Sequence, residues 1–294
     1  MHMVESIIGN YLIEIGKITE QQYRIALDRM NSVRVKLGLI AVSEGFMTLQ
    51  QVEEVNQLQK KLDKRFGDLA VEKNYLTDEQ VGKLLKKQGD AYLTFMQALE
   101  EFEMITPAEA VWIIDEFKES RGLTNIEMDY IKSDDVDKIV EIMLPDKAAD
   151  YSVLIAIAIK TIIRIADRHA GIIKVEMKDF RSAAPMAVQS LEGENETWTN
   201  GFKEVDGAMR TAASIFAEED FTEMDEDALD AAAELVNCIN GLYASSVSGS
   251  HGKFLELMPP LYSMDGTDYP EGEACVVTVQ IDDKLCEYAS IKKV

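Results

Sequence analysis

The sequence predicts an α+β protein in which an all-α region of helical-hairpin repeats precedes a domain built from a sheet and helices. A helix-capping signal recurs every 29 residues through the first third of the chain. After residue 170 the apolar pattern changes to short alternating segments, which favour strands. The polar segment 119–135 separates the two patterns. We therefore expect a repeat domain over residues 1–122 and a second domain over residues 123–294.

Each repeat contains a threonine followed three positions later by Gln or Glu. The four pairs are Thr19/Gln22, Thr48/Gln51, Thr77/Gln80 and Thr106/Glu109. In such a capping box, the threonine hydroxyl accepts a hydrogen bond from an early helical N–H, and the Gln or Glu side chain accepts one from the threonine N–H. Gly16, Gly45 and Asn74 occupy equivalent turn positions and tolerate a left-handed conformation. Each unit is therefore predicted to be a helical hairpin that buries its apolar face against its neighbours.

The two middle units resemble the MshEN-type domain found at the front of type II secretion and pilus ATPases. The matching stretches are KLGLIAVSEGFMTLQQVEEVNQLQ (36–59) and RFGDLAVEKNYLTDEQVGKLLKKQ (65–88). Some members of that family bind cyclic di-GMP, so the resemblance implies a nucleotide site at Lys36, Gln59, Arg65 and Gln88. Lys36 departs from the family pattern, because an ammonium group lacks the planar fork of the usual Arg. The alternative is a packing and docking module that binds no nucleotide.

The charge distribution excludes nucleic acid as a partner. The net charge is −23, and residues 185–294 carry 22 acidic and 6 basic side chains. An acidic surface of this kind repels phosphate backbones.

The sequence also predicts a cytoplasmic protein that is not inserted in a membrane. The start of the chain does not resemble a signal peptide, and the longest apolar run, Val153–Ile165, is too short to cross a bilayer. The three cysteines have no paired spacing and are expected to be free thiols in a reducing compartment. Asp167 and His169 lie close together, but no further ligands are evident, so no metal site is predicted.

The second domain is expected to consist of strands with helices packed on one side. The predicted helices are 153–165, 207–218 and 225–243, and the predicted strands are 172–177, 186–191, 197–203, 274–281 and 284–291. The last two strands are separated by Asp282 and Asp283, which is a hairpin signal. Ser248–Lys253 contains glycines before a lysine, but the spacing does not fit a phosphate-binding loop, so we interpret it as an ordinary loop.

The predicted helix 225–243 has one polar stripe. With an advance of about 100° per residue, Asp230, Glu234, Asn237 and Gly241 fall within an arc of roughly 60°. Apolar residues cover the opposite side: Leu229, Ala232, Leu235, Val236, Ile239, Leu242 and Tyr243. A glycine inside a helix costs about 1 kcal/mol relative to alanine, so we expect another backbone to approach closely at Gly241.

Asp230-Ala-Ala-Ala-Glu234-Leu-Val-Asn237 resembles the (Asp/Ser)xxxExxN signature of the CheC/CheX/FliY phosphatases, with a similarity that extends over about residues 145–294. Glu53/Asn56 and Glu192/Asn195 repeat the ExxN spacing, but without an acidic residue or Ser four positions earlier. The helix near 150–167 has no ExxN, so the resemblance implies a CheX-like domain with one site.

The resemblance implies dephosphorylation of a CheY-like response regulator. Hydrolysis of an aspartyl phosphate depends mostly on positioning a water molecule, which a carboxamide such as that of Asn237 can do. Glu234 would pair with a lysine of the regulator, and Asp230 would brace the contact. Mg²⁺ would come with the regulator, so the chain needs no cofactor or metal of its own. The family also suggests a homodimer.

Two alternative functions remain open at this point. One is a non-catalytic scaffold that docks a regulator without hydrolysis, and the other is a cyclic di-GMP receptor that uses the N-terminal repeats. A solvated polar face on the helix 225–243 would explain the stripe without any function.

Overall fold

The computed structural model describes residues 3–30, 32–62, 64–166, 170–266 and 269–294. The chain forms two compact units. The first is Ile8–Asp134, and the second is Asp135–Val294 together with the start of the chain through Ile7. The division between residues 122 and 123 that the sequence suggests stays a prediction.

Helices form the regular structure of the described part of the first unit. Helix α1 (Met3–Glu14) begins in the second unit and ends in the first. The helices that follow are α2 (Glu20–Met30), α3 (Leu37–Ser43), α4 (Leu49–Leu62), α5 (Phe66–Glu72), α6 (Asp78–Lys86), α7 (Ala91–Glu101), α8 (Pro107–Ser120) and α9 (Asn125–Lys132). Helix α9 lies within the polar segment 119–135 that separates the two sequence patterns. Thr124 starts this helix with a capping box to Glu127, outside the 29-residue spacing.

The four capping boxes predicted from the sequence are confirmed. In each box the threonine N–H donates to the Gln or Glu side chain at 2.8–2.9 Å. The backbone N–H of that Gln or Glu donates to the threonine hydroxyl at 3.2–3.3 Å. These bonds satisfy donors that the first turn of a helix otherwise leaves without partners.

The preceding turns repeat with the same spacing. Gly16, Gly45, Asn74 and Glu103 all adopt left-handed φ angles between 55° and 70°. The next backbone N–H in each turn donates to the carbonyl five residues earlier, at 2.9 Å in all four cases. This pattern is the usual way to close a helix at a left-handed residue. The turn positions predicted at Gly16, Gly45 and Asn74 are therefore confirmed, and Glu103 adds a fourth.

The second unit combines helices with an antiparallel sheet. Its helices are α10 (Val136–Met143), a 3₁₀ helix (Asp146–Tyr151), α11 (Ser152–Ala166), α12 (Ala208–Ala217) and α13 (Glu226–His251). Its strands are β1 (Ala170–Asp179), β2 (Met186–Glu192), β3 (Thr197–Glu204), β4 (Glu256–Leu257), β5 (Leu261–Ser263), β6 (Glu273–Ile281) and β7 (Lys284–Lys293). The mixed helix-and-sheet class predicted from the sequence is confirmed.

The sheet places α13 against its β2 edge. Its order is β1-β6-β7-β3-β2-β4, and β5 also pairs with β2. Helices α11, α12 and α13 contact one another, and each contacts the sheet. Val188 points away from α13, because side chains alternate along a strand and its neighbour Gln189 bonds to that helix. Val188 belongs to a second small core with Phe180, Met186, Tyr269, Ala274, Val276, Ala289 and Ile291.

Helix α13 is longer than the sequence analysis predicted. Asp225 caps it by accepting a hydrogen bond from the Ala228 N–H at 2.9 Å. The helix continues to His251 and ends at Gly252, whose φ of 64° is left-handed. The interpretation of Ser248–Lys253 as a loop was therefore wrong for its first four residues. Serine and glycine have a weak preference for helix, so the local sequence favoured a loop here. The packing of the preceding turns of α13 outweighs that preference.

The fourth capping box has a pH dependence that the other three lack, because Glu109 stands where they carry Gln. Lys17, and then the Thr106 N–H and hydroxyl, lower the pKa of Glu109 to about 2. A pKa lowered by folding means stabilisation that is present above the unfolded value of 4.5 and lost as the pH falls toward 2.

We predict that Glu109→Gln lowers the free energy of unfolding at pH 7, because the box remains but the ion pair with Lys17 is lost. The difference from the wild type should shrink as the pH falls from 5 and disappear near pH ~2. Urea denaturation at pH 7, 4 and 2 measures it. Glu119→Gln, on the same helix, controls for the loss of one exposed negative charge. A difference that stays constant with pH would contradict the prediction.

Candidate functional site

Helix α13 presents the predicted stripe at the surface. Asp230 and Glu234 are exposed, and Asn237 and Gly241 are partly exposed. The apolar side of the helix is buried at Leu229, Ala232, Leu235, Val236, Ile239 and Tyr243. Leu242 was predicted to lie on that buried side but is 43% exposed, so that assignment was wrong. The structure thus brings the four stripe residues onto one accessible helix face.

Gly241 does not mark a close approach of another backbone. A Cβ atom built at this position would meet only Cδ2 of Leu257, at 4.0 Å, which is an ordinary contact distance. The expectation from the sequence was therefore wrong. The strand β4 that carries Leu257 pairs with the edge of β2.

Asn237 is held by two hydrogen bonds in the described part of the chain. Its Oδ1 accepts from Gln189 Nε2 at 2.7 Å, and its Nδ2 donates to Glu234 Oε2 at 3.2 Å. A carboxamide has two donor hydrogens and two acceptor lone pairs. The two bonds therefore use half of this capacity, and one donor and one acceptor remain on a partly exposed side chain.

Gln189 belongs to a chain of buried carboxamides that runs beneath the stripe. Its Nε2 also donates to the Met258 carbonyl at 2.7 Å, and its Oε1 accepts from Asn240 Nδ2 at 2.8 Å. Asn240 Oδ1 in turn accepts from Asn200 Nδ2 at 2.7 Å. We call Asn200, Asn240, Gln189 and Asn237 the amide chain. Its first three members are 0–2% exposed.

The Met258 carbonyl sets the direction of the amide chain. A carbonyl can only accept, so the group of Gln189 that faces it must be the NH₂ group. The same NH₂ group faces Asn237, which must therefore present its oxygen to Gln189. The Glu234 carboxylate agrees with this direction, because it also accepts and faces the Asn237 NH₂ group. Turning the Asn237 amide by 180° would place its NH₂ group against the NH₂ group of Gln189. It would also place its oxygen against the carboxylate oxygen of Glu234.

Gln189, Asn200 and Asn240 were not among the site residues predicted from the sequence. Asn240 gave one local signal, since it is a carboxamide on the side of the helix that is otherwise apolar. Gln189 and Asn200 lie on strands, where their neighbours along the chain do not reveal which polar groups will meet. Their role depends on contacts between residues 40 to 69 positions apart.

The four residues of the first unit that the MshEN resemblance implies as a nucleotide-binding site line one cavity. The cavity has a volume of about 860 Å³, and Lys36, Gln59, Arg65 and Gln88 are all part of its lining. Gln59 Nε2 donates to the Lys64 carbonyl at 3.1 Å, and Gln88 Nε2 donates to the Val35 carbonyl at 2.9 Å.

The cavity also contains acidic groups. The Lys36 ammonium lies 4.0 Å from Glu100 and 3.8 Å from Glu101. Burial raises the pKa of the Glu100 carboxyl, and Lys36 opposes that shift. A bound phosphate would therefore compete with these carboxylates for Lys36.

Neither a metal site nor a membrane span is found in the described ranges. These residues contain no group of three or more His, Cys, Asp or Glu side chains placed to hold a metal ion. Asp167 and His169 lie outside the described residues. No helix in the described ranges combines the length and apolar character needed to cross a lipid bilayer.

No protein-family model and no curated protein matches the sequence. Solved structures do match. CheX from Vibrio vulnificus has 12% identity and a TM-score of 0.41, over 48% of this chain and 97% of that chain. A chain of the CheX–CheY–BeF₃–Mg²⁺ complex from Borrelia burgdorferi has 15% identity and a TM-score of 0.40, over 48% and 96%. FliY from Thermotoga maritima has 20% identity and a TM-score of 0.36, over 50% and 90%.

Several of the matching structures are thus described as CheX or as CheC-like proteins, and each of these matches extends over about half of this chain. The resemblance of the N-terminal repeats to the MshEN domain stays a prediction.

We predict that Gly241→Ala raises the free energy of unfolding by about 0.5–1 kcal/mol, because alanine loses less backbone entropy in a helix and the Cβ atom fits here. Chemical denaturation measures the change. Gly266→Ala is the opposite control, since φ is +70° there and a Cβ atom would lie 2.7 Å from the Ala184 carbonyl oxygen. Destabilisation by Gly241→Ala would show that the space beside the helix is filled.

Proposed function

We propose that the second unit hydrolyses the aspartyl phosphate of a CheY-like response regulator. One observation carries the proposal: a partly exposed carboxamide, Asn237, stands beside an exposed carboxylate, Glu234, and its donor and acceptor sides are fixed by hydrogen bonds to Gln189 and Glu234. The exposed stripe leaves this pair accessible to a second protein, and the proposed reaction requires such access.

The reaction needs little from the phosphatase except positioning. A water molecule adds to phosphorus while the bond from phosphorus to the aspartate oxygen breaks, which yields inorganic phosphate and a free carboxylate. Asn237 would accept a hydrogen bond from this water and donate one to it, using the capacity that its internal bonds leave. Because the amide is already oriented, aligning the water costs little further entropy.

The neighbouring carboxylates have supporting roles in this proposal. Glu234 uses one oxygen for Asn237, and its carboxylate is positioned to pair with a lysine of the regulator. Asp230 lies one turn earlier and would contact the rim of the regulator site. Mg²⁺ would be bound by the regulator and would neutralise charge on the phosphoryl group.

We predict that Asn237→Ala lowers the rate of regulator dephosphorylation by roughly 10²-fold or more, the scale for removing a preorganised polar group. The affinity for the regulator should change little, because Glu234 and the rest of the surface remain. Phosphate release from a phosphorylated regulator measures the rate, and titration calorimetry measures the affinity.

Asn195→Ala is the matched control, because Asn195 closes another Glu-x-x-Asn motif in the same unit but lies in the turn between β2 and β3. It should retain the wild-type rate. A wild-type protein that binds the regulator without accelerating phosphate release would instead support the non-catalytic scaffold. An Asn237→Ala variant with full activity would reject the assigned role.

A second candidate function is a cyclic di-GMP receptor in the first unit. The observation that favours it is the cavity lined by all four residues that the resemblance to the MshEN-type domain implies. Lys36 and Arg65 lie 29 residues apart, as do Gln59 and Gln88, so two successive units supply equivalent groups.

We predict that, if this candidate is correct, calorimetry detects cyclic di-GMP binding by the full chain and Arg65→Ala abolishes it, because Arg65 supplies the only guanidinium fork of the four positions. Lys83→Ala is a charge-matched control, since Lys83 pairs with Glu79 on an exposed helix face outside the cavity lining. No heat of binding with the wild-type protein would remove this candidate.

A further inference from the structure

Gln189 lies where a strand of the second unit would ordinarily carry an apolar side chain. It faces α13 from the middle of β2 and is 2% exposed. Both of its Nε2 hydrogens and its Oε1 atom form hydrogen bonds. A buried carboxamide bonded in this way has one favourable orientation, because turning it would place acceptors against acceptors and donors against donors.

The partner that orients Gln189 is itself fixed to the sheet. The Met258 N–H donates to the Ser190 carbonyl at 2.9 Å, which holds the segment after β4 against β2. The Met258 carbonyl then accepts from Gln189 at 2.7 Å. A backbone group that cannot rotate independently therefore determines which side of Gln189 faces the helix.

We infer that Gln189 is a positioning residue for the reaction, acting through Asn237 and without touching the regulator. This inference rests on the proposed hydrolysis. Gln189 donates to Asn237 Oδ1 and so selects the amide orientation in which the remaining donor and acceptor meet the water correctly. Glu234 alone would hold Asn237 through one bond of 3.2 Å from an exposed side chain, which is a weaker constraint.

The expected kinetic effect separates orientation from docking. Without Gln189, the Asn237 amide can turn over or rotate, so a smaller fraction of bound complexes holds the water correctly. The exposed surface of α13 is unchanged, so the regulator still binds. A loss of this kind lowers kcat and leaves KM nearly constant.

The test uses the full chain with Gln189→Met, which keeps an unbranched side chain of similar length but forms none of the three bonds. We expect kcat for regulator dephosphorylation to fall ~10-fold or more, with KM within about 2-fold of the wild type. Thr199→Val is the control, because Thr199 is also buried on the sheet but faces away from α13 and bonds to Ser190. It should leave both constants unchanged.

A double variant shows whether Gln189 acts through Asn237. Adding Gln189→Met to Asn237→Ala should cause no further loss of rate, because the group to be oriented is already absent. An equal fold-loss in both backgrounds, or an effect on KM instead of kcat, would overturn the inference.

A measurement without substrate separates this inference from the proposed function. In ¹⁵N relaxation experiments, the Asn237 side-chain NH₂ group should be ordered in the wild type and mobile in Gln189→Met. Equal mobility in the two proteins would overturn the positioning role, even if the wild type is an active phosphatase. If the NH₂ group responds as expected but the wild type dephosphorylates no regulator, the proposed function fails and the orienting contact stands.

Discussion

The hydrogen bond from Gln189 to the Met258 carbonyl is the constraint on which the candidate site depends. Buried polar groups must find partners, and a backbone carbonyl offers only an acceptor. This one bond therefore fixes the orientation of the Gln189 carboxamide, and Gln189 in turn fixes the orientation of the partly exposed Asn237 carboxamide. The interior of the second unit thereby determines which atoms of an accessible amide face the solvent.

The first unit is organised by elements of local structure that repeat along its sequence. The same left-handed turn and the same capping box recur every 29 residues along the first unit. Gly38 and Gly67 show this most clearly. A Cβ atom at Gly38 would lie 2.6 Å from Val52, and one at Gly67 would lie 3.0 Å from Val81, so both positions require close helix packing. Residues from the two equivalent stretches 36–59 and 65–88 together line the cavity of about 860 Å³.

Much of this architecture is predictable from the sequence because its signals are local. The capping boxes, the left-handed turns, the β6–β7 hairpin and the polar stripe of α13 all follow from residues within a few positions of one another. The amide chain could not be predicted in the same way, because it joins two strands and a helix. The open space beside Gly241 also depends on where Leu257 of β4 lies, and periodicity gives no information on that.

The proposed site is tested most directly by a crystal structure of the full chain bound to a response regulator that carries a beryllofluoride mimic of its phosphoryl group. We expect α13 to enter the regulator site, with the Asn237 amide beside the mimic and the Gln189–Met258 bond retained. A regulator docked elsewhere, with Glu234 and Asn237 left open to solvent, would contradict it.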